Sequence, residues 1–246
     1  MPRRPARIFI AGVFGVGDVV EPAPDDARKL RVVLRARGGD EVEILDSSGR
    51  AYAAEVILER DNVRARLRAE KVLPPRPSLR LALAQGIPKG AKMDFVVEKA
   101  TELGVAQVLP FTSERTQGGD ASGERMQRWR RLAKSAAQQC GRADVPALDE
   151  PASFTVVCAG FGTFDVTLLA WELADGVPLR ERLPPLLAGA RSALVVIGPE
   201  GGLSDDEAQL AERSGGRPIS LGARILRTET AGLVACSAVL YASGNL

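Results

Sequence analysis

The clearest alternation in this chain is NVRARLRAEK, residues 62–71. Val63, Ala65, Leu67 and Ala69 fall on one side, and Arg64, Arg66, Arg68 and Glu70 on the other. A period of two predicts a half-buried strand whose wet face carries three arginines. Residues 8–13, 41–45 and 52–58 read as further short strands, with a turn at Asp46-Ser47-Ser48-Gly49 and a short helix over 27–37. Together they predict a small β-barrel over residues 1–72 that offers a basic face. Exposed arginine on a strand also serves as a guard against edge pairing, so the pattern alone leaves both uses open.

The stretch LPPRP, residues 73–77, reads as a linker, because proline interrupts ladders and helices alike. Beyond it the period changes. Residues 91–103 place Met93, Val96, Val97, Ala100 and Leu103 on one stripe before Gly104. Residues 123–140 do the same with Met126, Trp129, Leu132, Ala133, Ala136, Ala137 and Cys140, and carry Arg125, Arg128, Arg130, Arg131 and Lys134 outside. Strands are predicted over 79–84, 105–111, 166–171, 193–197 and 218–221, with helices over 204–214 and from Thr228 onward. Such alternation predicts an α/β domain built on a parallel sheet covered by helices.

Composition narrows the chemistry. With 246 residues, 45 % hydrophobic and 26 % charged, the chain can bury a real core in one large or two smaller domains. No apolar run reaches membrane-span length, and the basic start MPRRPARIFIAG is too short in its apolar part for a signal peptide, so no membrane partner and a cytoplasmic location are expected. Cys140, Cys158 and Cys236 are too scattered for a disulfide framework or a zinc ribbon, and no metal is expected. Histidine is absent, which excludes Ser-His-Asp and Cys-His nucleophiles. Lys and Arg outnumber Asp and Glu by 26 to 19 over residues 1–148, and the balance reverses to 4 against 11 over 149–215. An anionic partner for the first part, or uneven solvated surface, would each produce this division.

Two segments carry candidate chemistry. In ALVVIGPEGGLSDDE, residues 193–207, an apolar strand empties into Gly198-Pro199-Glu200-Gly201-Gly202, and Ser204 and Glu207 have the spacing of a capping box. Glycine turns between strand and helix usually hold phosphate, but Glu200, Asp205 and Asp206 would repel a pyrophosphate. The turn also lacks the dinucleotide and P-loop spacings. A phosphate-free, cationic ligand such as S-adenosylmethionine (SAM) suits these charges; a plain tight turn with a solvated Glu200 is the simpler alternative. The second segment, ISLGARILRTETAG (219–232), sets Arg224 and Arg227 three apart, then Thr228 as the expected helix cap, then a helix of small residues. Surface ion pairs are the ordinary fate of such arginines.

Read in order, KMDFVVEKATELGVAQVLPFTSERT (92–116), RWRRLAKSAAQQCGRADVP (128–146), IGPEGGLSDDE (197–207) and LGARILRTETA (221–231) make the chain similar to the ribosomal RNA small-subunit methyltransferase E family of the SPOUT superfamily. RIFIAG…LRVVLRARGGDEVEILD (7–46) fits that family's small N-terminal barrel. Members often carry a histidine shortly before the VLR stretch, where this chain reads DDARKLRVVLR.

The resemblance implies an α/β protein with a PUA-like, RNA-binding barrel over 1–72 and a SPOUT domain over 73–246 that contains a deep trefoil knot. It implies SAM-dependent methylation of N3 of a uridine in 16S rRNA, naked or within the small ribosomal subunit, by a homodimer. SAM is expected on Ile197, Gly198, Pro199, Glu200, Gly201, Gly202, Leu221, Gly222, Ile225 and Leu226. Because N3 must lose a proton before it attacks, Glu200 and Glu229 are candidate bases, with Glu172 ranked below them. Arg227 and Arg115 are candidates for stabilising charge on the uracil oxygens or gripping phosphate. RNA contacts are expected from Arg3, Arg4, Arg7, Arg64, Arg66, Arg68, Arg125, Arg128 and Arg131. Against this stand a non-catalytic RNA-binding module with an inactive α/β part and a nucleotide-dependent Rossmann enzyme. The missing fingerprint disfavours the second of these.

Overall fold

The structure, a computed structural model, describes residues 5–60, 62–73, 77–117, 123–171, 174 and 176–246. Arg3, Arg4, Glu172 and part of the expected linker lie outside the described residues. The chain divides into two compact units, Met1–Pro75 with Ala137–Asp144, and Arg76–Ala136 with Val145–Leu246.

The first unit contains β1 (Ala6–Phe9), β2 (Val19–Val20), α1 (Pro24–Arg28), β3 (Glu41–Leu45), β4 (Ala51–Leu58) and β5 (Val63–Lys71). They form one sheet in the order β1-β3-β4-β5-β2, with β1 parallel to β3 and the other neighbours antiparallel. Val63, Ala65 and Leu67 are buried as the alternation requires, but Ala69 is exposed. The cause is a register shift: Ala53 faces Ala69 whereas Ala54 faces Leu67, leaving Arg68 as the extra residue of a bulge. The expected helix over 27–37 is also corrected. Pro24 starts a short helix early, a wider π-type turn covers Lys29–Val33, and Arg35 at φ +52° ends the run. Tyr52 is buried in this core, and its hydroxyl meets the Phe14 carbonyl at 2.7 Å, which offsets the cost of hiding a polar group.

The second unit contains β6 (Arg80–Gly86), α2 (Lys92–Leu103), β7 (Gln107–Thr112), α3 (Gly123–Cys140, its last turn counted with the first unit), β8 (Ala147–Leu148), β9 (Ala152–Ser153) and α4 (Phe154–Ala159). It continues with β10 (Val166–Ala170), α5 (Leu179–Leu187), β11 (Ser192–Ile197), α6 (Asp205–Arg213), β12 (Gly216–Ile219) and α7 (Thr228–Ala242). The sheet order is β12-β10-β11-β6-β7-β8, with β9 also on β7, and every pairing is parallel. Leu81, Leu83 and Val195 face one core with Met93, Val97, Trp129 and Val239. Ala82, Ala84, Leu194 and Val196 face the other with Phe111, Phe154 and Phe161. Burial on both sides explains why these strands are nearly continuous apolar runs.

The sequence misses α4 and α5; Pro184 and Pro185 inside α5 disguise it as a break. From β6 the chain runs outward through β7 and β8, then restarts on the opposite side with β10 and β11. β6 and β11 therefore flank a reversal of strand order, where open α/β sheets bind ligands beyond their strand ends.

Candidate active site

At the end of β11 the chain must turn tightly beneath its neighbours, and glycine makes that turn fit. Gly202 sits at φ +68°, and its amide closes on the Pro199 carbonyl at 2.9 Å. A Cβ on Gly86 would come within 2.5 Å of the Pro199 nitrogen, and one on Gly201 within 2.9 Å of Arg115 Cβ. The capping box forms as expected: Glu207 N donates to Ser204 Oγ at 3.3 Å, and Ser204 N donates to Glu207 Oε2 at 3.0 Å. Glu207 Oε1 also accepts from the Glu114 amide at 2.8 Å, which ties this helix start to the loop after β7.

The second turn leaves β12 and runs from Ser220 to Arg227. Among the described residues, its only backbone hydrogen bond between Leu221 and Leu226 runs from Gly222 N to Ser220 Oγ, at 3.3 Å. Thr228 corrects the expected cap. The N-cap of α7 is Arg227, which makes no side-chain cap bond, so the helix forgoes a stabilisation of about 1 kcal/mol. The Thr228 hydroxyl instead donates to the Gly198 carbonyl at 2.6 Å and accepts from Gln85 Nε2 at 2.8 Å.

The two turns line one cleft of about 870 Å³, within the usual size of small-molecule sites. Ile197, Gly198, Pro199, Glu200, Gly201, Gly202, Leu221, Gly222, Ile225 and Leu226 all line it, as does Arg227. Arg227 has a side chain 83 % exposed, and its Nη1 lies 4.0 Å from Glu229 Oε1. Arg224 lines the cleft from the exposed part of the same loop.

The two expected bases separate. Glu200 lines the cleft and receives Lys92 Nζ at 2.6 Å and the Lys89 amide at 3.1 Å. Burial pushes its carboxyl up, but those bonds outweigh burial and hold its pKa below the ordinary carboxylate value. Glu229 does not line the cleft; its Oε2 is buried without a hydrogen-bond partner, 3.9 Å from Lys92 Nζ. Arg115 is likewise off the lining. Its Nη1 donates to the Gly201 and Leu203 carbonyls at 3.4 and 3.3 Å, so it braces the turn. Lys92, Trp171 and Ser220, none of them an expected site residue, also line the cleft. The segment KMDFVVEK contains Lys92, but the partner of that lysine lies 108 positions away, beyond any local signal.

The expected basic surfaces are partly spent internally. Arg7 is corrected: its side chain is 12 % exposed, pairs with Glu43 at 2.7 Å, and donates to the Gly141 and Arg142 carbonyls at the end of α3. On β5, Arg64 pairs with Glu59 and Arg68 with Glu55, while Arg66 is exposed and has no ion pair among the described residues. On α3, Arg128 pairs with Asp94 at 2.7 Å and the Arg125 guanidinium stacks 5.2 Å from the Trp129 ring centroid. Arg131 is exposed with no ion pair among the described residues.

Comparison with known proteins fits this geometry. The family described as RNA methyltransferase domain matches residues 75–240. The ribosomal RNA small subunit methyltransferase E of Mycobacterium bovis is 31 % identical over 230 residues, 87 % of this chain and 83 % of that protein. Its namesake in Bacillus subtilis is 34 % identical over 169 residues, 66 % of each chain, so that match spans just under two thirds of the relative. The crystal structure of a ribosomal RNA small subunit methyltransferase E from Neisseria gonorrhoeae, bound to S-adenosyl methionine, superposes with a TM-score of 0.85 at 29 % identity, covering 97 % of this chain and 98 % of that one. On its sequence, its fold and its cleft, the chain belongs to the ribosomal RNA small subunit methyltransferase E family.

Proposed function

We propose that this chain is a SAM-dependent methyltransferase that modifies N3 of a uridine in 16S rRNA. One observation carries the reading: two glycine-containing turns from distant parts of the chain line a single cleft at a reversal of strand order, with a carboxylate on its wall. Glu200 makes the cleft a poor host for pyrophosphate and compatible with a sulfonium centre. The loose backbone of 221–226 offers unpaired amides and carbonyls to an adenosine or an amino-acid group. SAM, when bound, supplies a methyl group activated by positive sulfur.

The chain's own residues must hold the uracil and favour its anion. Arg227, exposed at the cleft and only loosely paired, is the cation suited to the uracil oxygens as charge develops there. Of the two carboxylates only Glu200 lines the cleft, so it is the direct acceptor for the N3 proton. Its lowered pKa makes it a weak base, so transfer to it depends on Arg227 stabilising the imide anion. Arg115 holds the turn, and Glu229 works through Lys92.

The finer architecture belongs to the same proposal. A SPOUT domain with a deep trefoil knot is supported by α7, which follows a turn bonded back to the end of β11. A PUA-like barrel is supported by the five-stranded antiparallel-rich sheet of the first unit. RNA, as 16S rRNA or the assembled subunit, would meet Arg66 on β5 and Arg131 on α3. A homodimer is supported by α7, built of small residues and leaving Val234 and Tyr241 exposed. No helix among the described residues is long and apolar enough to cross a membrane, and a cytoplasmic site of action follows from an rRNA substrate.

Calorimetric titration with SAM tests the cleft, and mass spectrometry of 16S rRNA from a strain lacking the protein tests the product. Loss of one N3-methyluridine supports the reading. Unchanged rRNA and no SAM binding would favour the non-catalytic RNA-binding module.

A further inference from the structure

Gln85 is fully buried at the end of β6, directly opposite Ile197 of β11. A threonine hydroxyl has one proton, and a carbonyl can only accept. Thr228 therefore donates to Gly198 O at 2.6 Å and must accept from Gln85 Nε2 at 2.8 Å. The second amide proton of Gln85 goes to Gly86 O at 3.1 Å. Its Oε1 has no hydrogen-bond partner and faces Gly232, where a Cβ would come within 2.9 Å. Flipping the amide would set its oxygen against the Gly86 carbonyl, so the direction of this relay is fixed.

Burying an unpaired acceptor and giving up a helix cap both cost stability. What they secure is a link between the end of β6, the first turn of the cleft and the residue where the second turn enters α7. We propose that Gln85 and Thr228 are positioning residues, which hold the two turns at the separation the methyl donor needs. This rests on the donor reading above. Neither side chain touches the reacting atoms in this proposal; each acts through the orientation of the Gly198 carbonyl and the start of α7.

The test uses the full chain, with donor affinity measured by calorimetry with SAM, RNA affinity measured at fixed salt, and unfolding temperature recorded without donor. Thr228→Val keeps the shape and removes both bonds; Gln85→Met keeps a similar length and volume and removes the amide protons that Thr228 Oγ1 and Gly86 O receive. Each is expected to raise the SAM Kd by roughly three- to ten-fold, the worth of one or two hydrogen bonds, with RNA affinity unchanged. Thr228→Ser, which restores the hydroxyl, is expected to bring the Kd back to within about two-fold of the unaltered protein. Unaltered SAM affinity in both disruptive variants overturns the proposal, as does a serine variant no better than valine. A purely structural role would instead lower the unfolding temperature and weaken SAM and RNA binding together, which also overturns it. If the unaltered protein binds no SAM, the failure lies with the proposed function.

Discussion

Lys92 Nζ lies 2.6 Å from Glu200 Oε1 and 3.9 Å from Glu229 Oε2, so one lysine serves two carboxylates, one that lines the cleft and one that does not. Burial raises the Glu200 carboxyl, and the lysine with the Lys89 amide reverses that shift. Lys92→Met should therefore move the acid limb of the kcat profile to higher pH, because removing the cation lets burial dominate. A pH–rate profile from single-turnover assays measures it. A limb that stays where it was would show that Glu200 is not the group being titrated.

Arg227→Ala is expected to lower kcat by about a hundred-fold, the scale of losing one charge-stabilising donor, and to change the SAM Kd little. Its side chain is 83 % exposed and makes only a 4.0 Å pair with Glu229, so little folded structure depends on it. Equal losses in donor affinity and turnover would assign it to cofactor binding instead.

Gly86→Ala should damage donor binding although Gly86 itself does not line the cleft. The added Cβ would sit 2.5 Å from backbone at Pro199, and backbone cannot swing aside as a long side chain can. Overpacking of this kind costs about 1–3 kcal/mol and would displace the first turn. Thermal unfolding and SAM titration together check it; wild-type values in both would show that the turn yields freely.

Arg7 and Arg66 should behave oppositely. Arg66→Ala is expected to reduce the slope of log affinity for RNA against log salt by about one, the signature of a lost phosphate contact. Arg7→Ala should leave that slope alone and lower the unfolding temperature, since Arg7 binds Glu43 and two carbonyls at the end of α3. Reversed outcomes would mean that the internal bonds of Arg7 do not hold in solution.

Asp46 gives a pH-dependent stability. Burial raises its carboxyl, but the Ser48 hydroxyl and the amides of Phe14, Arg50 and Ser48 outweigh it and hold the pKa below the ordinary value. A group lowered in the folded state stabilises above its unfolded pKa of about 3.9, and that share is lost as pH falls through the folded value. Asp46→Asn should thus cost about 1–3 kcal/mol at neutral pH, and progressively less below about pH 4. Denaturant unfolding at several pH values checks the sign.

Much of this molecule is legible from spacing alone. Residues 41–45 and 123–140 coincide with β3 and α3, Gly104 ends α2 in the left-handed region, and the Ser204–Glu207 box starts α6. Each depends on contacts a few residues apart, or on a period that sorts apolar from polar positions. The cleft-lining glycines were also visible, because a tight turn between strand and helix needs them locally.

Tertiary structure decided which polar group meets which. It sent the Thr228 hydroxyl to Gly198, 30 positions back, instead of to the helix it begins. It turned Arg7 toward carbonyls 134 and 135 positions away, and it placed the last turn of α3 with the first unit. It kept Glu229 off the cleft while Glu200 stayed on it. Burial of apolar side chains is non-directional and follows from their pattern. A hydrogen bond needs one particular donor within about 3 Å of one acceptor, a coincidence that exists only once the chain has folded.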